Sequence, residues 1–312
     1  MNTLSISLFG RMRLWFKEPN VEIALSRLLQ KLLAYLLINR SQFLKREVLT
    51  GLFWGDQSEL KARNCLNTTL WRLRAAIEIG NISKGTYLMT MSTGEIGFNT
   101  ESDHWLDVAA FEEKTSEILN IPVNNMAAFE AIRLEHTLQL YSGELLQGYY
   151  SDWILTERER LQARYLKCIE HLMRYYGDQR SFEKAIALGQ KILQIDPLRE
   201  EIHRELMRFY MENGQRIQAM RHYDRCCQIL EAELDIEPMD ETRELYSKIR
   251  QVIRTLDLNE SSPSPEKKKQ LAEKKDLIMA IHKLNNTVSA LGEIHNNIFE
   301  AVQLLRQYDK II

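Results

Sequence analysis

The N-terminal part of the chain combines strand-like and helix-like hydrophobic patterns. Over residues 3–8, leucine and isoleucine alternate with threonine and serine, and this period of two predicts a half-buried β-strand. Residues 12–16 predict a second strand. Leucines then recur at three- and four-residue steps over residues 25–38, which is the spacing of an amphipathic helix. The pattern therefore predicts two strands followed by a helix.

Two more amphipathic helices are predicted next. The first covers residues 45–54, with Val48, Leu49 and Leu52 as its apolar face. The second covers about residues 59–79 and has one continuous apolar stripe, so its opposite side is expected to face solvent. The residues of this stripe are Leu66, Leu70, Leu73 and Ile77.

A hairpin closes the N-terminal segment, and helices follow it. Residues 87–91 and 95–99 predict two strands around a turn at residues 92–94. From residue 108 onward the strand pattern disappears and helical periods continue. The expected fold class is therefore mainly α, with an α+β segment at the N-terminus.

An internal repeat organises the helical part. Four residue types recur after 34 positions, and this is the period of the tetratricopeptide repeat, in which pairs of helices stack on one another. One helix pair cannot bury its apolar face alone, so neighbouring pairs are expected to pack together. The matching pairs are Leu172 with Leu206, Met173 with Met207, Tyr176 with Tyr210, and Ala185 with Ala219.

The C-terminal end has the pattern of a coiled coil. Residues 259–270 are rich in serine, proline and charge and predict a linker, and residues 271–312 predict one helix with a heptad seam. This helix is expected either to pair with a second copy of the chain, giving a dimer or larger oligomer, or to dock on its own chain. The seam contains Leu277, Ile281, Leu284, Val288, Leu291, His295, Ile298, Val302 and Leu305.

Composition and charge narrow the class of protein. The chain has a net charge of −2, but residues 1–100 carry 13 Lys and Arg against 7 Asp and Glu, so the basic end is the expected nucleic-acid-binding end. The sequence shows neither a signal peptide nor a run of about 18 apolar residues. The four cysteines form no CxxC pair, as expected of packing residues in a reducing compartment. We expect a cytoplasmic protein.

Residue patterns for catalysis or metal binding are lacking in the sequence. His222 and Cys226 are four apart, a spacing that can chelate a metal, but no second pair accompanies them, so a packing role is expected. No serine, cysteine or lysine lies in a recognisable nucleophile motif. We therefore expect no enzymatic activity, no cofactor and no metal.

The exposed side of the helix at residues 59–79 carries groups that can read DNA. Amides pair with adenine, guanidinium groups with guanine, and threonine methyls meet thymine methyls, which makes Asn64, Thr68 and Arg72 the candidate base contacts. A solvated polar helix face is the alternative interpretation. Trp71 lies on the same side, Lys61, Arg63, Arg74 and Lys84 suit phosphates, and Thr90, Ser92 and Thr93 of the hairpin are further candidate contacts.

The order of these elements resembles the SARP-type regulators, which join an OmpR-type winged helix to a bacterial transcriptional activator domain. Within the winged helix, residues 25–46, 47–55 and 62–77 carry the likeness. Beyond it the likeness is carried by FNTESDHWLDVAAFE at residues 98–112, YSGELLQGYYSDWILTE at 141–157, DPLREEIHRE at 196–205 and ILEAELDIEP at 229–238. The sequence departs from the usual recognition helix at Asn64 and Trp71, and it lacks the ATP-binding loop of some larger relatives.

The resemblance implies a domain plan and a function. A winged helix-turn-helix is expected at residues 1–107, and an all-α, tetratricopeptide-like activator domain at residues 108–258. The implied activity is transcription activation, with double-stranded DNA, RNA polymerase and a second copy of the chain as partners. A scaffold protein whose winged helix contacts other proteins is the alternative, and the basic N-terminal segment favours DNA.

Overall fold

The computed structural model of the chain describes residues 3–16, 21–80 and 82–259, with side chains as far as residue 252. Of these residues, those up to Thr242 belong to one compact unit and those from Arg243 onward to a second. The predicted coiled-coil seam and nearly all of the predicted linker lie outside the described residues. No described helix is both long and apolar enough to cross a membrane.

A four-stranded sheet forms one side of the N-terminal segment. Its strands are β1 (Leu4–Ser7), β2 (Arg13–Phe16), β3 (Val21–Glu22) and β6 (His104–Leu106), in the order β3-β2-β1-β6. Strand β1 is antiparallel to β2 and parallel to β6. Strands β3 and β6 were not predicted from the sequence. They have only two and three residues, which is too short to show a hydrophobic period.

The prediction for β1 is confirmed on its apolar face, where Leu4 and Ile6 are fully buried, but it is wrong at Ser5. Ser5, on the predicted polar face, is only 1% exposed. Its register partners on the two neighbouring strands are Trp15 and Trp105, whose rings lie 6.4 Å apart on either side of it. Two large aromatic side chains therefore cover a face that the sequence marks as polar.

Three helices and a hairpin complete the winged helix. The helices are α1 (Arg27–Ile38), α2 (Arg46–Trp54) and α3 (Glu59–Ile77), and the hairpin consists of β4 (Leu88–Thr90) and β5 (Ile96–Phe98). The predicted apolar stripe of α3 is confirmed, because each of its four residues is at most 3% exposed. The other side of α3 is consequently left for solvent or a partner.

The predicted apolar face of α2 is wrong in part. Leu49 is fully buried, but Val48 and Leu52 are 47% and 43% exposed. The buried side of α2 instead runs through Leu49, Phe53 and Trp54, and Phe53 packs edge-on against Tyr35 of α1. Positions 48 and 52 lie four apart on the neighbouring side of the helix, which the core does not reach.

The rest of the compact unit is helical, as predicted. Its elements are α4 (Asp107–Leu119), a short 3-10 helix (Val123–Asn125), α5 (Ala128–Leu138), α6 (Asp152–Asp178), α7 (Phe182–Ile195), α8 (Glu200–Glu212), α9 (Arg216–Leu234) and the beginning of α10 (Asp240–Asn259). Helices α6 with α7 and α8 with α9 form the two helix pairs of the repeat. At the repeat positions, the leucines, methionines and alanines are fully buried.

The two helix pairs turn through the same backbone geometry. Arg180 and Gly214 lie 34 residues apart and both have positive φ, 55° and 74°. Each turn is closed by an N–H to C=O bond of 2.8 Å, from Ser181 to Tyr176 and from Gln215 to Tyr210. Glycine adopts this conformation without strain, whereas arginine does not. The first turn therefore contains a residue that is less suited to it.

We predict that Arg180→Gly raises the free energy of unfolding by about 1 kcal/mol, because it removes the side-chain clash of a left-handed residue. The matched change Gly214→Arg should lower it by a similar amount. A Cβ at position 214 would meet no atom within 4 Å, so only the backbone conformation is tested there. Urea unfolding of the full chain measures both, and equal midpoints for wild type and Arg180→Gly would contradict the prediction.

A buried carboxylate joins the winged helix to the helical domain. Asp107, the first residue of α4, is 2% exposed and accepts hydrogen bonds from the end of β1 and from its own helix. The donors are the N–H groups of Leu8 at 2.8 Å, Phe9 at 2.9 Å and Val108 at 2.7 Å, and the hydroxyl of Ser7 at 2.6 Å. The strand end and the helix start are thereby held by one side chain.

The loop after α5 packs back on the same strand end. Backbone bonds of 2.8–2.9 Å join Leu146 to Leu8, and Gly10 to both Glu144 and Gln147. Arg158 of α6 fixes this loop from the other side by donating to several of its carbonyl oxygens. The segment at residues 141–157, which carries the family resemblance, therefore serves as a structural joint between the two domains.

Polar side chains extend this joint to the base of the first helix. Glu112 of α4 bonds at 2.6 Å to Arg40, which follows α1, and at 2.6 Å to Arg160 of α6. Burial opposes the ionisation of Glu112, but the two guanidinium groups outweigh it and hold its pKa below the usual value. Glu112 and the two arginines thus form a charged triad. It links α4 and α6 of the helical domain to the segment after α1 in the winged helix.

We predict that Asp107→Asn lowers the free energy of unfolding by about 1–3 kcal/mol, because an amide NH₂ would face backbone donors in a buried site. The matched control is Asp103→Asn, since Asp103 is exposed and, among the described residues, its side chain accepts only from Thr3, at 3.1 Å. The control should stay within about 0.5 kcal/mol of wild type. Thermal and urea unfolding measure both variants, and an unchanged Asp107→Asn protein would refute the role of the joint.

Candidate nucleic-acid interface

The exposed side of α3 is built as its sequence predicts. Because the stripe from Leu66 to Ile77 faces the core, the residues about half a turn away point outward. Trp71 is 66% exposed, which is unusual for a side chain of that size. The other exposed residues on this side are Lys61, Asn64, Thr68, Arg72 and Ala75.

Three of these residues are free to bind a partner. Asn64, Thr68 and Arg72 lie at steps of four along α3, and none of their side chains makes a hydrogen bond or ion pair within the described residues. Steps of four place side chains in one row along a helix. An amide, a hydroxyl and a guanidinium group therefore stand side by side without partners.

The positively charged side chains on and near α3 differ in how far acidic residues compensate their charge. Arg63 forms an ion pair of 2.7 Å with Glu59 and a contact of 4.0 Å with Glu47, so part of its charge is compensated. Lys61 and Lys84 are exposed and make no ion pair within the part of the chain that the structure describes. Of the predicted phosphate contacts, these two lysines are the most available.

Arg74 connects α3 to the hairpin. Its Nε and Nη2 donate to the carbonyl oxygen of Leu88 at 3.2 and 3.0 Å, and Nη2 also donates to the hydroxyl of Thr90 at 2.8 Å. The phosphate contact of Arg74 stays a prediction. In the structure its Nε and Nη2 already donate hydrogen bonds to the hairpin, and the Thr90 hydroxyl already accepts one of them. Arg74 is placed to position the hairpin.

Glu78 completes this connection one turn later. Its carboxylate accepts from the backbone N–H groups of Gly85 at 2.9 Å, Tyr87 at 3.0 Å and Leu88 at 3.2 Å. Together with Arg74 it holds the loop and first strand of the hairpin against the end of α3. This clamp was not predicted from the sequence, in which the four-residue spacing of Arg74 and Glu78 at the end of α3 was its only visible signal.

A groove between α3 and the hairpin is closed at its far end by Arg46 of α2. Arg46 donates a hydrogen bond to the side-chain amide oxygen of Asn67, and its Cδ would lie 3.8 Å from a Cβ at Gly94 in the hairpin turn. Arg46 and Asn67 were both missed from sequence, because they lie on different helices and only the fold brings them together. Trp71 and Lys84 also line the groove.

The turn of the hairpin is exposed, and the strand that follows it is anchored. Ser92 and Thr93 are exposed in the turn, which a bond of 2.8 Å from the Met91 N–H to the Glu95 carbonyl closes. Directly after the turn, Ile96 of β5 exchanges two backbone bonds with Leu44, which precedes α2. The exposed turn is therefore followed by a strand that is bonded to the segment before α2.

The described histidines, cysteines and acidic residues are the candidates for metal binding. They contain no group of three histidine, cysteine or acidic side chains that could hold a metal ion. All four cysteines are free, and Cys168 and Cys226 are fully buried. Burial raises the pKa of each of these two thiols to about 12, so both stay protonated near neutral pH.

The comparisons with known proteins fit this architecture. Residues 106–250 match the bacterial transcriptional activator domain. The regulatory protein AfsR of Streptomyces coelicolor is 23% identical over 248 residues, which cover 80% of this chain and 24% of AfsR. The transcriptional regulatory protein MoaR1 of Mycobacterium bovis is 27% identical over 231 residues, 70% of each chain. The chain is therefore similar to these two regulatory proteins, and its helical part matches the bacterial transcriptional activator domain.

A solved structure has a similar fold. Mycobacterium tuberculosis EmbR, solved in complex with a low-affinity phosphopeptide, aligns with a TM-score of 0.69 at 16% identity. The alignment covers 90% of this chain and 71% of that one. The arrangement of the winged helix and the helical domain is therefore shared. The chain spans only about a quarter of the length of AfsR.

We predict that Glu78→Gln loosens the hairpin, because a neutral amide is a weaker acceptor for the three N–H groups and only one of its ends accepts. Amide hydrogen exchange at residues 83–90 should become at least several-fold faster, while exchange in α6 stays unchanged. Glu59→Gln at the start of α3 is the control, since Glu59 is exposed and, within the described part of the chain, bonds only Arg63. Equal exchange in both variants would show that the carboxylate does not hold the hairpin.

Proposed function

We propose that this protein is a sequence-specific DNA-binding transcription activator whose α3 enters the major groove. The observation that carries the proposal is the row of Asn64, Thr68 and Arg72, which are exposed and unpaired, whereas Arg74 and Glu78 are bonded to the hairpin. Polar groups of this kind pair with base edges. Because α3 is clamped at its C-terminal end, the row is pre-organised for binding.

Each group of the row suits a different base feature. Arg72 suits the two acceptors of guanine, Asn64 suits the acceptor and donor of adenine, and the methyl of Thr68 suits the thymine methyl. Trp71, between them on the helix, offers a flat apolar surface to the sugar-phosphate backbone. The proposal assigns base reading to three residues and leaves the rest of the site to positioning.

Phosphate contacts surround the row on two sides. Lys61 near the start of α3 and Lys84 before the hairpin provide uncompensated positive charge. The charge of Arg63 is partly compensated by Glu59. In this proposal the hairpin tip, with Ser92 and Thr93, lies along the adjacent backbone or minor groove. Contacts of this kind fix the register of a protein on DNA without reading the sequence.

The helical domain is proposed to supply the protein contacts of activation. Its match to the bacterial transcriptional activator domain supports RNA polymerase as a partner. The joint at Asp107 and Glu112 supports the proposal that a contact made by this domain is held in a fixed position relative to DNA. Pairing of two copies through the seam at residues 277–305 is part of the proposal and concerns residues outside the described part.

Titration of the full chain with promoter fragments at about 50 and about 200 mM salt tests DNA binding. Neutralised phosphates release counterions, so the affinity should fall by at least tenfold between the two concentrations. An affinity that does not depend on salt, or no binding at either concentration, would favour the scaffold function instead.

We predict that Arg72→Ala and Asn64→Ala each reduce discrimination between operator and unrelated DNA by about 1–3 kcal/mol, because each removes a bidentate base contact. Lys84→Ala should weaken binding to both kinds of DNA equally and reduce the salt dependence by about one charge. Gel shifts with both fragments measure this, and circular dichroism confirms folding.

Arg180→Ala is the control for these variants, because Arg180 is an exposed and unpaired arginine of the helical domain. It should bind operator DNA as wild type does. Unchanged discrimination in both the Arg72 and the Asn64 variant would show that the row on α3 does not read bases.

A further inference from the structure

A second polar cleft lies in the helical domain, between α7 and α9, with α8 as its floor. Its volume is about 440 Å³. This size falls within the range of small-molecule sites, roughly 300–1,000 Å³. The polar side chains that line it include Gln190 and Gln194 of α7, Tyr210 of α8, and Gln218, Arg221 and Arg225 of α9.

The two arginines of this cleft are uncompensated. Arg221 and Arg225 are exposed, lie one turn apart on α9 and make no ion pair within the described residues. By contrast, Arg199, Arg204 and Arg208 near or on α8 each contact a glutamate within 3.6 Å. No carboxylate lines the cleft. Two guanidinium groups one turn apart can reach the same oxyanion.

The floor of the cleft contains a buried histidine pair. Nε2 of His203 lies 3.0 Å from the carbonyl oxygen of Pro197, and Nδ1 lies 3.1 Å from Nε2 of His222. The carbonyl can only accept, so Nε2 of His203 carries the hydrogen and Nδ1 accepts from His222. Burial lowers the pKa of His222 to about 4, so the ring is neutral near pH 7.

This tautomer gives the floor a specific hydrogen-bonding role. When Nε2 of His222 donates to His203, Nδ1 of His222 is an acceptor, and it has no partner within the described residues. A ligand hydroxyl can donate to it. The glutamine amides above the floor can donate and accept. The cleft therefore combines positive charge at α9 with neutral groups that suit hydroxyls.

We propose that this cleft binds a small hydroxylated oxyanion, either a phosphate monoester or a hydroxycarboxylate. Arg221 and Arg225 hold the oxyanion, and His222 with the glutamine amides holds the hydroxyl groups. The site is independent of the proposed DNA contacts, since all of its residues lie on α7, α8 and α9.

Isothermal titration of the full chain with ribose 5-phosphate, citrate and sulfate tests this site. At least one organic anion should bind ten times more tightly than sulfate, which has no hydroxyl-bearing body. The double variant Arg221→Gln/Arg225→Gln should lose at least tenfold in that affinity. Arg216→Gln should keep it, because Arg216 is an exposed arginine of α9 that does not line the cleft.

The two organic probes separate the two oxyanion sources. Tighter binding of ribose 5-phosphate assigns the site to phosphate monoesters, and tighter binding of citrate assigns it to carboxylates. The proposal is overturned if neither binds more tightly than sulfate. It is also overturned if the double variant, with a wild-type circular dichroism spectrum, keeps the wild-type affinity.

Discussion

The carboxylate of Asp107 is the interaction on which the rest of the compact unit depends. It accepts hydrogen bonds from the N–H groups of Leu8 and Phe9 where β1 ends, and Asp107 is the first residue of α4. Without it, buried backbone donors at the exit of the central strand would lack partners, at a cost of about 1–3 kcal/mol or more. One residue thus fixes the sheet of the winged helix to the first helix of the activator domain.

The same joint explains why the winged helix and the helical domain belong to one compact unit. The loop at residues 141–149 pairs with the strand end, Glu112 bridges Arg40 and Arg160, and the ring of Trp153 packs edge-on against Tyr35 of α1. A binding event on α3 and a contact on the repeat helices are therefore connected through packed and hydrogen-bonded groups. In the proposed function, this rigidity places the partner of the activator domain at a defined distance from DNA.

Residues of the candidate DNA interface divide into two sets with different physical roles. Arg74 and Glu78 use their polar atoms on the hairpin, and Arg46 bonds Asn67, so these side chains fix geometry. Asn64, Thr68 and Arg72 have no such partners. This division is what a reading surface requires, because base contacts discriminate best when the groups that make them are held in place but not already paired.

Hydrophobic periodicity predicted the helices and the 34-residue repeat, since the period reports which side of a helix is buried. It predicted the core stripe of α3 and therefore its outward face. It failed where burial depends on tertiary neighbours: at Ser5 between two tryptophans, at the three-residue strand β6, and on α2, where Val48 and Leu52 are exposed. The clamp of Arg74 and Glu78 was not predictable for the same reason, because its partners are backbone groups of another element.

The most direct test of sequence-specific DNA binding is nuclease footprinting of the purified chain on fragments of the host genome. The account predicts protected sites that share a common sequence. If two copies bind together, the half-sites should be centred about 10–10.5 base pairs apart or at multiples of this spacing. Protection that spreads evenly over all fragments, or no protection at a concentration where the chain is folded, would contradict it.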